Sequence, residues 1–256
     1  MSKIGKAFEQ GKAFIPFITA GDPCADKTVE FILEMERAGA DLIEIGIPFS
    51  DPTAEGVVIQ DANIRALKAG ITTDGVFDIV RQVREKTQIP IVFLTYVNPV
   101  YHYGYDAFFK KCQELGVDGI ISPDLPFEEK REIQETAKKY GVDIVSLIAP
   151  TSAARIQMIA KEAEGYIYVV SSMGVTGVRT QITTDIRAIV AEIRKVTDVP
   201  CAIGFGISTP EQAKDMADKS DGAIVGSAIV RIIAKYGMDA APYVYEYVKS
   251  MKDAIR

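Results

Sequence analysis

The chain has 256 residues, of which 48% are hydrophobic and 25% are charged, and its formal net charge is −6. This composition is typical of a globular protein, and the length suits one large domain or two small ones. The negative charge and the absence of a basic run argue against a nucleic-acid-binding protein and against binding to an anionic membrane surface.

The start of the chain and the cysteines indicate the compartment. The first 14 residues contain no long apolar segment, and no apolar stretch in the chain reaches the about 18 residues of a membrane span. The three cysteines, Cys24, Cys112 and Cys201, are dispersed and form no CxxC pair. Such a set is typical of reduced thiols, and we expect a cytoplasmic protein that is neither secreted nor membrane-spanning.

Short apolar runs recur along the chain and alternate with amphipathic segments. Runs of this length predict buried parallel strands, and the spacing of the apolar residues between them predicts helices. The eight predicted strands cover residues 14–19, 42–47, 91–95, 119–122, 144–148, 167–170, 201–204 and 222–225. This alternation predicts a single (β/α)8 barrel domain over residues 1–256. A doubly wound open sheet is the alternative, but its Gly-rich fingerprint is missing after the first strand.

Two connections are longer than the others. The connection after the second strand runs from residue 48 to residue 90 and has room for an extra helix over 57–69. The connection after the sixth strand runs from Ser171 to a helix that starts near Thr184, and it contains the Gly- and Thr-rich sequence SSMGVTGVRTQ. In a barrel, enlarged loops lie at the carboxyl-terminal face, where active sites are found, and this composition is typical of a mobile lid.

Two carboxylates mark the end of the second strand. Glu44 interrupts an aliphatic strand, where a carboxylate must be paired, hydrogen-bonded or protonated. Glu55 lies in the following loop, directly before Gly56. Two carboxylates in this arrangement predict an acid/base site. The alternatives are a structural ion pair for Glu44 and a solvated loop charge for Glu55.

The last two strands carry a signal for phosphate. The seventh strand ends in GFGIS at residues 204–208, and the eighth ends in GSAI at residues 226–229. Glycines allow backbone N–H groups to approach an anion, and the helices that follow add their amino-terminal N–H groups. Barrels usually hold phosphate at these two loops, although tight turns alone would also explain the glycines. Gly177 in the predicted lid could supply a third face.

The sequence lacks the residues that several other types of site require. The predicted strands contain no lysine, which disfavours a Schiff-base aldolase. The single histidine, His102, lies in a predicted Tyr-rich turn without a second ligand, so no metal site is predicted. There is no Ser-His-Asp set and no nucleotide fingerprint. The remaining possibility is a site that binds a substrate through its phosphate and acts on it with carboxylates, without a cofactor.

Six segments carry a resemblance to a known family. They are FIPFITAGDP, LIEIGIPFSDPTAEG followed by IQDAN, PDLPFEE, YIYVVSSMGVTGVR, GFGIST and GSAIVRII. With them the chain resembles the α subunit of tryptophan synthase along essentially its full length. The resemblance implies a (β/α)8 lyase that cleaves indole-3-glycerol phosphate to indole and glyceraldehyde 3-phosphate. It also implies an α-β-β-α tetramer with a β subunit. The β subunit would use pyridoxal phosphate to join indole to serine.

The resemblance further implies roles for individual residues. Glu44 matches the family's catalytic acid/base, and Glu55 matches the second carboxylate, which stabilises positive charge on the indole N–H. Tyr168 would lie near the glycerol moiety, and Thr176 would be the lid partner of Glu55. The implied indole pocket consists of Phe17, Leu94, Tyr96, Ile121, Leu147 and Phe205. The implied phosphate ligands are Gly177, Gly206, Gly226 and Ser227.

The chain departs from the family pattern at Ser122 and Pro123, before Asp124, and at two positions in the carboxylate loop. Glu55 stands where the family usually has Asp, and Val57 stands where Pro usually follows the glycine. We predict that the two act as a pair, because a loop freed from the fixed φ of proline could retract to match the longer carboxylate. Three functional hypotheses follow: a lyase subunit that needs a β subunit, a stand-alone lyase, and a catalytically weak phosphate-binding module that activates a partner.

Overall fold

The computed structural model describes residues 3–171, 185–204 and 206–256. The strands of this part of the chain are β1 Ala13–Thr19, β2 Ile43–Gly46, β3 Ile91–Leu94, β4 Gly119–Ile121, β5 Asp143–Ile144, β6 Ser146–Ile148, β7 Ile167–Val170, β8 Cys201–Gly204 and β9 Gly222–Val225. All neighbouring pairs are parallel, and the order is β5-β4-β3-β2-β1-β9-β8-β7-β6.

The two ends of this sheet belong to one stretch of chain. β5 and β6 are separated by Val145 alone, and β5 pairs with β4 whereas β6 pairs with β7. The Val145 N–H donates to the Ile120 carbonyl at 2.9 Å, which continues the pairing with β4. The fifth predicted strand is therefore divided into two segments, and the sheet closes there as a (β/α)8 barrel.

Helices surround the barrel. Those of the described residues are α1 Lys3–Lys6, α2 Ala25–Arg37, α3 Val57–Lys68, α4 Thr73–Arg84, α5 Val97–Tyr103, α6 Tyr105–Leu115, α7 Arg131–Lys139, α8 Ala153–Lys161, α9 Ile186–Arg194, α10 Pro210–Ala217, α11 Ser227–Tyr236 and α12 Ala241–Ala254. Local signals explain their ends: α10 starts with a capping box between Thr209 and Gln212, and α6 ends at Gly116 with φ of 70°. None of the described helices is long and apolar enough to cross a membrane.

The predicted fold is confirmed, including the extra helix over 57–69, which is α3. One further element was missed. α5 makes the connection after β3 a third enlarged loop, and His102 lies in this helix and not in a turn. The segment contains Pro99, but proline is compatible with the first turn of a helix, where the backbone N–H has no intrahelical partner.

The side chains of β2 and the residue before it alternate between two hydrophobic clusters, one inside the barrel and one between the barrel and the helices. Ile43 and Ile45 belong to the outer cluster that packs against the helices, whereas Leu42 belongs to the cluster inside the barrel. Because successive side chains of a strand point to opposite faces, Glu44 lies inside with Leu42. Tyr166 belongs to the same inner cluster.

Candidate active site

A cavity opens at the carboxyl-terminal face of the barrel, and we call it the active-site cavity. It lies where β2, β3 and β9 end, and it brings two carboxylates, aliphatic and aromatic side chains, and two glycines together. Its lining consists of Phe17, Glu44, Glu55, Ile59, Leu94, Tyr168, Gly206, Ile207, Ile224, Gly226 and Ser227.

A larger depression lies at the opposite face, and half of its lining residues are charged. Two of its cations are already paired: Lys252 contacts Asp41 at 2.7 Å, and Arg194 forms an ion pair with Asp221. Active sites of barrels lie at the carboxyl-terminal face. We therefore assign the site to the active-site cavity.

Glu44 is almost completely buried, with 1% of its surface exposed. The Tyr166 hydroxyl donates a hydrogen bond to its carboxylate. Burial raises the pKa of Glu44 to about 8, and the bond from Tyr166 opposes this shift. Among the described residues no cation contributes to this environment. The alternative of a structural ion pair thus finds no partner there.

Glu55 is also buried, with 7% of its surface exposed, so the alternative of a solvated loop charge is wrong. Asn63 Nδ2 donates to Glu55 Oε2 at 2.7 Å, and the Tyr96 hydroxyl donates a second hydrogen bond to the carboxylate. Burial raises the pKa of Glu55 to about 7, against the effect of these two donors. Glu55 can therefore change its protonation state near neutral pH.

Two glycines make room for aromatic side chains of the cavity. A Cβ atom on Gly46 would lie 2.7 Å from Cζ of Phe17, and one on Gly204 would lie 2.1 Å from the hydroxyl oxygen of Tyr168. Any side chain at these positions would displace the rings. The glycines therefore fix where the apolar wall of the cavity stands.

The far side of the cavity has the features of an anion site. Gly206 has φ of 80°, a conformation that favours glycine. Gly226 and Ser227 lie at the start of α11, whose first N–H groups have no partner within the helix. Backbone N–H groups at a helix start bind phosphate well, because the helix dipole adds to their hydrogen bonds.

The model of the family "Tryptophan synthase alpha chain" matches residues 5–256. The chain belongs to this family. The tryptophan synthase alpha chain of Lacticaseibacillus casei is 52% identical, with 100% of this chain and 96% of that protein covered. A crystal structure of the alpha chain from Legionella pneumophila has a TM-score of 0.90 at 37% identity and covers 100% of this chain and 97% of that one.

A structure from Pyrococcus furiosus extends the comparison to an assembly. Its subject is the mutual activation of the tryptophan synthase α2β2 complex of P. furiosus, a hyperthermophile. Its matching chain has a TM-score of 0.87 at 35% identity and covers 95% of this chain and 99% of that one. The resemblance to the alpha chain of tryptophan synthase is thus confirmed, and the chain has the function of this subunit.

The structure gathers most of the residues that the family resemblance predicted. Eight line the active-site cavity, namely Phe17, Glu44, Glu55, Leu94, Tyr168, Gly206, Gly226 and Ser227. Thr176, Gly177 and Phe205 lie outside the described residues, and so does most of the predicted lid.

Three predicted pocket residues do not line the active-site cavity. Tyr96 accepts a hydrogen bond from the Ala54 N–H at 3.1 Å and donates to Glu55, so it holds the loop that carries this carboxylate. Ile121 packs in the inner core of the barrel. Leu147 lines a separate groove between the loops that follow β4 and β6.

The prediction that Val57 compensates for the longer Glu55 loses its basis. Val57 is the first residue of α3, and 70% of its surface is exposed. The helical φ at this position is close to the value that proline fixes, so proline would not move the loop. Asn63 and Tyr96, and not Val57, determine where the Glu55 carboxylate lies.

Sequence reasoning missed the partners of both carboxylates, although each had a signal. Asn63 is the polar member of the buried face of α3, which also contains Ile59, Ala62 and Ala66. A buried amide on an apolar face requires a partner. Tyr166 precedes Tyr168 by two residues, so the period of a strand places both rings inside the barrel.

Proposed function

We propose that the active-site cavity carries out the α reaction of the family, the retro-aldol cleavage of indole-3-glycerol phosphate to indole and glyceraldehyde 3-phosphate. The observation that supports this best is the environment of Glu44. A carboxylate with a pKa raised to about 8 is mostly protonated at neutral pH, as a general acid must be. The same cavity contains Glu55 and a candidate phosphate site.

The proposed reaction uses Glu44 twice. Its carboxyl group first gives a proton to C3 of the indole ring, which leaves positive charge on the ring nitrogen. The Glu44 carboxylate then takes the proton of the glycerol hydroxyl, and the carbon–carbon bond breaks with its electron pair returning to the indole. Glu44 ends protonated, so the products contain all the atoms of the substrate.

Glu55 has a complementary role in this proposal. In its ionised form it accepts a hydrogen bond from the indole N–H and stabilises the positive charge that develops there. The donors Asn63 and Tyr96 favour this ionised form against the effect of burial. The two carboxylates thus act in opposite protonation states within one cavity, an arrangement that suits acid/base chemistry.

Binding of the substrate follows from the shape of the cavity. We assign the phosphate to the N–H groups of Gly206, Gly226 and Ser227, with Gly177 as a further ligand. Tyr168 is assigned to the glycerol moiety, and Phe17 and Leu94 to the indole ring. Anchoring the phosphate at the start of α11 would hold the indole against the carboxylates on β2 and in the following loop.

A β subunit is the proposed partner, in an α-β-β-α tetramer in the cytoplasm, and it would hold the pyridoxal phosphate. This chain needs no cofactor in the proposed reaction. We assign docking to the loop with Asp51 and Pro52 and to residues 124–126. The Asp124 carboxylate accepts a hydrogen bond from the Val97 N–H at 3.1 Å, so this region is connected to the start of α5.

One assay separates the three functional hypotheses. Indole release from indole-3-glycerol phosphate is measured for this chain alone and with a β subunit added. We expect slow release alone and a strong increase with the partner. Fast release that the partner leaves unchanged would favour the stand-alone lyase, and no release in either case would favour the phosphate-binding module.

A further inference from the structure

We propose that the ion pair between Asp22 and Arg65 is a positioning device for Glu55: it clamps α3 to the loop after β1 and thereby holds Asn63 against the Glu55 carboxylate. This inference rests on the proposed function, in which Glu55 stabilises charge on the indole. Asp22 and Arg65 are positioning residues and do not line the active-site cavity.

The ion pair has the geometry of a rigid clamp. Arg65 Nε donates to Asp22 Oδ1 at 2.9 Å, and a terminal guanidinium nitrogen donates to Oδ2 at 2.8 Å. Two parallel hydrogen bonds fix the orientation of both groups, which a single contact does not. Asp22 is 2% exposed, so its carboxylate depends on this partner.

The loop that carries Asp22 is itself anchored. The Gly21 N–H donates to Thr28 Oγ1 at 2.9 Å, and Thr28 is fully buried in α2. Gly21 also packs closely on Ile71, three residues after the end of α3, because a Cβ atom on Gly21 would lie 2.8 Å from Cβ of Ile71. The clamp therefore connects α3 to a fixed part of the barrel rather than to a free loop.

The other flank of α3 holds the carboxylate. Asn63 donates to the Glu55 side chain at 2.7 Å, and Gln60 Nε2 donates to the Glu55 backbone carbonyl, also at 2.7 Å. Asn63 and Arg65 are two positions apart, so they project about 200° apart around the helix axis. A helix that is held on both flanks cannot rotate, and its rotation would separate Asn63 from Glu55.

The test compares Arg65→Lys, Asn63→Ala and the double variant in the complex with a saturating β subunit. Lysine keeps the charge but loses the two-pronged contact. We expect each single variant to lower kcat about tenfold, the effect of losing one hydrogen bond to a charged group, with KM changed less than about twofold. The double variant should be no slower than Asn63→Ala, because without Asn63 the clamp has nothing to position.

Arg194→Lys is the matched control. Arg194 forms an ion pair with Asp221 at the amino-terminal face, and its side chain is 32% exposed, compared with 37% for Arg65. We expect this variant to keep its kcat, and its thermal stability is measured beside that of Arg65→Lys. Equal losses of kcat in the two arginine variants, or additive losses in the double variant, would show that the Asp22–Arg65 pair is merely structural.

A titration without substrate tests the clamp independently of catalysis. The Glu55 carboxyl signal is followed by 13C NMR and assigned by its disappearance in Glu55→Gln. Arg65→Lys and Asn63→Ala should both raise its midpoint, since Asn63 favours the ionised form. An unchanged midpoint in Arg65→Lys overturns the clamp. Wild-type kcat in Glu55→Gln instead overturns the proposed role of Glu55, and the titration then still decides whether the clamp exists.

Discussion

The carboxylates at the two ends of the barrel have different partners. At the amino-terminal end, three aspartates each precede a strand, accept a hydrogen bond from a backbone N–H of a neighbouring strand, and contact a cation on a helix. The three sets are Asp41 with Phe14 and Lys252, Asp118 with Ile91 and Arg84, and Asp221 with Cys201 and Arg194. These aspartates connect strands to helices.

In the active-site cavity at the carboxyl-terminal end, the donors to the two carboxylates are neutral. Glu44 is held by the phenol of Tyr166, and Glu55 by the amide of Asn63 and the phenol of Tyr96. Burial therefore raises the pKa of both groups into the neutral range. Burial raises the pKa of Asp118 as well, but there the Ile91 N–H and the positive charge of Arg84 oppose the shift, whereas only neutral donors oppose it at Glu44 and Glu55. The comparison teaches that the type of partner distinguishes the carboxylates that hold the fold from those that can transfer protons.

The largest expected effect belongs to Glu44→Gln. Glutamine keeps the size and can still accept the hydrogen bond from Tyr166, but it can neither give nor take a proton. We expect kcat for indole release to fall by about three orders of magnitude, with KM nearly unchanged. Steady-state kinetics in the presence of a β subunit measures both constants. A kcat within tenfold of wild type would remove Glu44 from the mechanism.

The next effect concerns Glu55. Glu55→Ala should lower kcat about a hundredfold, because the charge on the indole nitrogen loses its partner. Glu55→Asp should also be impaired, although it restores the commoner family residue, since the shorter side chain separates the carboxylate from Asn63. The same kinetic assay measures both variants. Activity of Glu55→Asp at or above the wild-type level would contradict this account of the donor geometry.

Stability and pH give a third prediction. The pKa of Glu44 is raised to about 8 in the folded protein, from 4.5 without the fold. Between these pH values the folded state holds a proton that the unfolded state has lost, so Glu44 lowers the free energy of unfolding progressively as the pH rises from about 4.5 to about 8. Glu44→Gln removes this dependence.

We therefore expect the Tm of Glu44→Gln to exceed that of the wild type by several degrees at pH 8 and by little near pH 5. Thermal unfolding at pH 5, 6.5 and 8 measures the difference. Glu114→Gln, at an exposed position of α6, is the control. A difference in Tm that stays constant over this pH range would contradict the raised pKa.

The smallest effect on activity is expected at the amino-terminal end. Asp118 is buried, and its carboxylate accepts the Ile91 N–H at 2.9 Å beside Arg84. Asp118→Asn should lower the free energy of unfolding by about 1–3 kcal/mol, because it weakens a buried, charge-assisted contact. The kcat should stay within about twofold of wild type. Denaturant unfolding measures the stability, and the indole assay measures kcat. A tenfold loss of kcat would contradict the structural role assigned to the carboxylates at the amino-terminal end.

The barrel could be predicted from the sequence because each strand is a short apolar run between turn residues. The division of the fifth strand at Val145 had no such signal, and the Tyr-rich segment of α5 was interpreted as a turn. The carboxylates stood out as charges near an aliphatic strand. Their partners, Tyr166 and Asn63, are brought to them from distant elements, and tertiary contacts of this kind leave little trace in the local pattern.

The protonation of Glu44 in the free protein tests the central claim most directly. The carboxyl signal of Glu44, assigned by comparison with Glu44→Gln, is titrated by 13C NMR. Burial with a neutral donor predicts a midpoint near pH 8. A midpoint near the 4.5 of an unperturbed glutamate would contradict the account, because Glu44 would then be ionised at neutral pH and could not act as the proton donor.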